Sequence, residues 1–192
     1  MLETAAGLFH TQGYHATGLN QLLSVGDAPR GSLYFHFPGG KEQLAAEAAA
    51  LSAERLREAL RQAIESSDEP GEALTAVVDL LGQALLDSDF RAGCPLSTLA
   101  LDAAADSEPI RRSCAEGYAS WCAVIERFLA AHRVAAPAQL AVMILASIEG
   151  GLLLAKTQRD LAPLRVVAER VRRLVDDTSD DTHDEPREQG TD

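Results

Sequence analysis

A chain of 192 residues, 46% of them apolar, can bury a full core in one large or two small domains without disulfide or metal staples. With 5% aromatic and 24% charged residues, and Ala and Leu dominant, the composition excludes a β-sandwich and predicts an all-α fold. A net charge of −12 argues against attraction to nucleic acid in bulk, yet −7 of it falls in residues 176–192, where Asp176, Asp177, Asp180, Asp181, Asp184, Glu185, Glu188 and Asp192 face only Arg187.

The elements follow in chain order. Leu2, Ala5, Ala6 and Phe9 form one helical stripe, and Gly13 stands where a left-handed residue ends it. Thr17 has the chemistry of an N-cap for a second short helix carrying Leu19, Leu22 and Leu23. Gly26, Asp27 and Ala28 signal a turn, and Pro29 suits the first position of a third helix. Within that helix Leu33 and Phe37 can both point inward, which leaves Arg30, Ser32, Tyr34 and His36 on the other sides. Pro38, Gly39 and Gly40 close it, and a longer helix starts near Lys41. Two short helices about a tight turn, the second offering polar and aromatic groups, make a helix-turn-helix.

Ser66 to Gly71 breaks the chain. A helix follows through Leu74, Val77, Val78, Leu81 and Leu85, and Arg91 to Pro95 breaks the chain again. Ile110, Cys114, Tyr118, Trp121, Ile125 and Phe128 give the stretch from Pro109 to His132 one long apolar face. Pro137 starts a helix apolar on nearly all sides, and Pro163 another with Leu164, Val167, Val171 and Leu174 on one stripe. A helix apolar all round needs neighbours all round, and a second subunit supplies them economically. A homodimer built by residues 137–156 and 163–175 is therefore expected. Predicted boundaries are a head over residues 1–40, a helical body over 41–175 and a disordered acidic tail over 176–192.

The stretch from Leu2 to Leu44 resembles the DNA-binding domain of the TetR family of transcriptional regulators, through Ala6, Phe9, Gly13, Tyr14, Thr17, Leu19, Leu22, "GSLYFHF" and Lys41-Glu42. The second half is similar to the LmrA/YxaF-like subset, in "RAGCPLSTLALDAA" at 91–104 and "ASIEGGLLLAKTQRD" at 146–160. The resemblance implies an Ω-shaped homodimer that binds a palindromic double-stranded DNA operator and leaves it when a small effector enters the body. It places Arg30, Gly31 and Ser32 at base edges, and Thr17, Tyr34, His36 and Lys41 at phosphates. The sequence departs from the family's common pattern at its start: members commonly begin several residues earlier with a basic arm, whereas Met1-Leu2 here already lies inside the first helix, so either the start is shortened or the native chain is longer.

For the effector, assumed small and hydrophobic or aromatic, the candidates are Tyr118, Trp121, Phe128 and Glu149; an aromatic stripe at this spacing is more often core than pocket lining. Glu149 amid apolar residues needs a partner, which Arg111 or Arg112 can supply, or a ligand, or solvent. His10, His15, His132 and His183 have no ligand-like spacing, so no metal and no cofactor are expected. Cys94, Cys114 and Cys122 form an odd set without a paired motif, which suits structural thiols in a reducing cytoplasm. No long apolar run escapes interruption: Ser147, Glu149, Gly150 and Gly151 break the one near 140–155. Nucleophile elbow, P-loop and dinucleotide glycine motifs are all missing, so the chain is not expected to be an enzyme.

Overall fold

The computed structural model describes residues 1–27 and 29–180, with the backbone alone at Arg30 and at 178–180. The described chain is helical: α1 (Leu2–Gln12), α2 (Leu19–Val25), α3 (Arg30–His36), α4 (Gly40–Ile64), α5 (Pro70–Asp87), α6 (Ser97–Ala103), α7 (Glu108–Ala131), α8 (Pro137–Gln158) and α9 (Ala162–Asp180). An N-terminal helix-turn-helix of α1–α3 sits on a helical body, and α4 belongs to both. Its first turns pack Leu44, Ala45 and Ala48 with Phe9, Leu22, Leu33 and Phe37, while Ala53, Leu60 and Ile64 enter the body core. One apolar cluster thus runs from Ala5 to Val175 without a break. In the body α4 lies along α7, α5 along α9, and α8 between α7 and α9.

Gly13 ends α1 at φ +85°, ψ 174°, a conformation open to glycine but not the left-handed helical one that the sequence suggests. The site is also crowded, because a Cβ there would meet Asp102 Oδ2 of α6 at 2.9 Å. Gly40, at φ +64°, lets the chain turn sharply into α4, and Gln43 Oε1 accepts from the Gly39 N–H (2.8 Å), one turn back.

Several expectations need correction. Thr17 does not cap α2: Gly18 holds that position, and Thr17 is fully buried, its Oγ1 donating to the Gly13 carbonyl at 2.6 Å. The tight exit from α1 brings that carbonyl within reach and outcompetes the α2 amides. Pro29 lies one residue outside α3, in extended conformation. No element is expected from the sequence between the break at 91–95 and the helix from Pro109, where the structure forms α6; Leu99 and Ala103, at i and i+4, are its buried residues. The last helix continues to Asp180, so 176–180 is helical rather than tail, and residues 181–192 lie outside the described ones. Finally, α8 is long and apolar enough by length and composition to cross a membrane, with mean hydropathy 1.8. Gly151 and Glu149 do not interrupt its helix. Its buried stripe, from Ala141 through Ile144, Ile148 and Leu152 to Ala155, packs against α7 and α9.

Candidate nucleic-acid interface and ligand cleft

The head divides the aromatic run of α3 as helical geometry requires. Leu33 and Phe37 are buried, whereas Tyr34 is 50% and Phe35 82% exposed, and His36 is exposed too. Arg30 is the first residue of α3, followed by exposed Gly31 and half-buried Ser32. Lys41 stands in the first turn of α4 with Nζ 4.2 Å from the centroid of the Tyr14 ring. Burial lowers its pKa from the usual lysine value, and the Asp102 carboxylate works against that shift. Six of the seven nucleic-acid candidates, Arg30, Gly31, Ser32, Tyr34, His36 and Lys41, thus cluster along α3 and the start of α4. Thr17 does not join them. A hydroxyl with no exposure and a backbone partner of its own has nothing to offer a phosphate.

The seam between head and body is polar. His10 Nε2 lies 3.0 Å from the Gly93 carbonyl and 3.1 Å from the Gly93 N–H, Thr98 Oγ1 donates to the His10 carbonyl (3.2 Å), and the His15 N–H donates to Asp102 Oδ2 (2.8 Å). Burial holds the His10 pKa below the ordinary histidine value; the Gly93 backbone opposes this, and the Lys156 charge adds to it.

Beside this seam opens a cleft of about 1010 Å³, reached by the end of α1, the segment before α6, α6 itself, α7 and α8. Tyr118 and Glu149 line it together with Cys94, as do Phe90, Leu101 and Leu153. The structure separates the four effector candidates. Trp121 is fully buried behind Tyr118, their rings meeting edge-on at 5.3 Å, and its Nε1–H donates to the Ala53 carbonyl at 2.9 Å. It faces a void of about 10 Å³, which Cys94 and Glu149 also border. Phe128 lines neither; its ring meets that of His132 at a tilt of 51°, with centroids 4.3 Å apart.

Glu149 does not pair with Arg111 or Arg112, both of which bond Glu108 at the surface. Burial raises its pKa, and a hydrogen bond with the Cys94 thiol pulls the other way. The same burial, reinforced by Glu149, pushes the Cys94 thiol up to about 12, and its Sγ lies 3.6 Å from the Tyr118 hydroxyl. A thiol so protonated at neutral pH is a poor nucleophile. Cys94 and Glu149, which border both spaces, and Tyr118, which faces the cleft, therefore form a hydrogen-bonding wall between the cleft and the inner void.

Comparison with known proteins agrees with this division. Residues 1–48 match the model for bacterial regulatory proteins of the tetR family, and residues 70–170 the LmrA/YxaF-like transcriptional regulator C-terminal domain. The HTH-type transcriptional regulator YxaF of Bacillus subtilis is 38% identical over 177 residues, 91% of this chain and 93% of that protein. LmrA of the same organism is 37% identical over 166 residues, 85% of this chain and 88% of its own length. Among solved structures, the reduced form of E. coli NemR superposes with TM-score 0.80 at 22% identity, covering 91% of this chain and 94% of that one. A cysteine mutant of the TetR family regulator CifR, complexed with 26-bp double-strand operator DNA, superposes with TM-score 0.76 at 23% identity over 90% of this chain and 93% of that one.

Proposed function

The chain belongs to the TetR family of bacterial transcriptional regulators, in its LmrA/YxaF-like subset, and we propose that it is a ligand-responsive repressor that binds a palindromic operator as a homodimer. The observation that carries this reading is the outward face of α3, where exposed Tyr34, Phe35 and His36 follow Arg30 on a head whose Leu33 and Phe37 are already spent on the core. Arg30 reads guanine, and Tyr34, His36 and Lys41 set the register on phosphates. Lys41 leaves the Tyr14 ring to do so, a local swing of one flexible side chain.

Two heads must be yoked to read a palindrome. Exposed Val142, Met143 and Leu154 on α8 supply an apolar surface for the second copy. The effector enters the cleft between the head and α8, against Tyr118 and Glu149, with Trp121 as rigid backing. Because the cleft reaches both Gly13 at the end of α1 and Gly150 on α8, a bound molecule biases how the head sits on the body, by as much as its affinity differs between the two arrangements.

Nuclease protection on the DNA upstream of the protein's own coding sequence tests this reading. The expected footprint is a palindrome whose half-sites lie about one helical turn apart or slightly more. Replacing Arg30 by Ala should flatten base preference at one position, worth about 1–3 kcal/mol, whereas Lys41→Ala should weaken all sequences alike. Identical specificity profiles for the wild type and the Arg30 variant would remove Arg30 from the base-reading set. No protected palindrome at low salt would remove the repressor reading.

A further inference from the structure

We infer that Phe35 reads DNA sequence, its ring seated against the 5-methyl group of a thymine on the floor of the major groove. The inference rests on the operator-binding reading above and adds a residue to which neither the helix-turn-helix pattern nor the polar contacts assign a role.

Successive residues of a helix are about 100° apart, so Phe35 and Gly31, two residues to either side of Leu33, stand roughly 200° round from it in opposite senses and so about 40° from each other. Leu33 and Phe37 define the inner face of α3. Gly31 and Phe35 therefore form its outermost strip, one turn apart, while Ser32, Tyr34 and His36 lie on its flanks. Exposure agrees: Phe35 is 82% exposed against 50% for Tyr34. Its ring meets that of His36 edge-on at 5.0 Å, which steadies it without covering its outer face. At Gly31 a Cβ would meet nothing within 4 Å, so the glycine answers no crowding inside the protein. What it does is leave the helix backbone bare one turn before the phenyl group.

If α3 enters a groove, this strip goes deepest, and neither of its side chains can donate or accept a hydrogen bond. A polar base edge pressed against the phenyl ring would lose water without gaining a partner. The apolar group that base pairs present in the major groove is the thymine methyl. Sequence is then read twice by one short helix: by hydrogen bonds from its flanks and by apolar contact from its crest.

The test uses the full-length protein and a duplex it selects from a random double-stranded library. Each thymine of the half-site is replaced in turn, in both half-sites, by deoxyuridine, which removes the methyl group alone. At one position wild-type affinity should fall about fourfold per half-site, equivalent to ~0.8 kcal/mol for one buried methyl. Phe35→Ala should bind the parent duplex more weakly and no longer distinguish thymine from uracil there, with its melting temperature unchanged because the ring is in solvent. Phe35→Leu, smaller but apolar, should keep part of the discrimination.

Wild-type protein that tolerates uracil at every position while still holding the duplex would overturn the inference and leave operator binding standing. So would a Phe35→Ala protein as sensitive to the methyl as the wild type, since another side chain would then be reading it. A library from which nothing is retained would overturn operator binding, and this inference with it.

Discussion

Gly31 separates stability from function at the scale of one residue. It sits in an exposed helical turn with open space where a side chain would be. Replacing it by Ala should stabilise the free protein by up to about 0.5–1 kcal/mol, because alanine gives up less backbone freedom on folding. The same methyl group stands in the strip that approaches the bases, so operator affinity should fall. Chemical denaturation and DNA titration of one variant check both arms. Parallel losses would mean that Gly31 serves the fold, and unchanged affinity would mean that the strip does not face DNA. Thr17 shows the converse. Its type suggests a cap and a phosphate contact, but a carbonyl one turn back claims its hydroxyl first.

Between elements, the informative joint is that of α1 with α6 and the segment before it. His10 bridges it through Gly93, and burial favours the neutral ring. The unfolded chain takes up a proton at the ordinary histidine value of 6.5, whereas the folded one resists until lower pH. Below about 6.5 the unfolded state therefore binds more protons, and the contribution of neutral His10 to stability, complete above that pH, declines as pH falls. Denaturation midpoints measured from pH 7.5 to 5.5 should drop for the wild type and drop less for His10→Gln. Glu149 acts with the opposite sign, its raised pKa favouring the folded state as pH falls, and it is common to both proteins. The exposed carboxylates held by arginines, Glu58 and Glu108 at about 2, begin to cost stability only below the usual glutamate value of 4.5, outside this window. Equal slopes for the two proteins would place the acid sensitivity elsewhere than this joint.

At the scale of the whole molecule, charge and symmetry decide the behaviour on DNA. Introducing glutamate at Val142 and Leu154 together, both exposed and both away from the cleft, should yield a folded protein with the mass of one chain in light scattering and with operator affinity largely lost. A dimer that survives both changes would put the subunit contact on another face. With Arg30 and Lys41 as the cations of each head, log affinity against log salt should slope by about −3 to −4. A slope near −8 would mean that most of the phosphate contacts lie outside α3 and α4.

Local chemistry and helical periodicity by themselves determined the all-helical class, the head of three short helices, and the inward assignment of Leu33 and Phe37, because a period of 3.6 residues sorts side chains before any tertiary contact forms. The same arithmetic could not rank the outward residues, and only exposure in the folded head distinguishes Phe35 at the crest from Tyr34 on the flank. Tertiary structure alone decided what depends on pairs distant in sequence: α6, tied to the exit of α1 through Asp102 and His15, and Glu149, set beside Cys94 and Tyr118 rather than an arginine; the hydroxyl of Thr17 was won closer by, by the Gly13 carbonyl that the exit from α1 presents. Each of these is a competition among partners that the fold brings together, and a linear pattern carries no record of which partner is nearest.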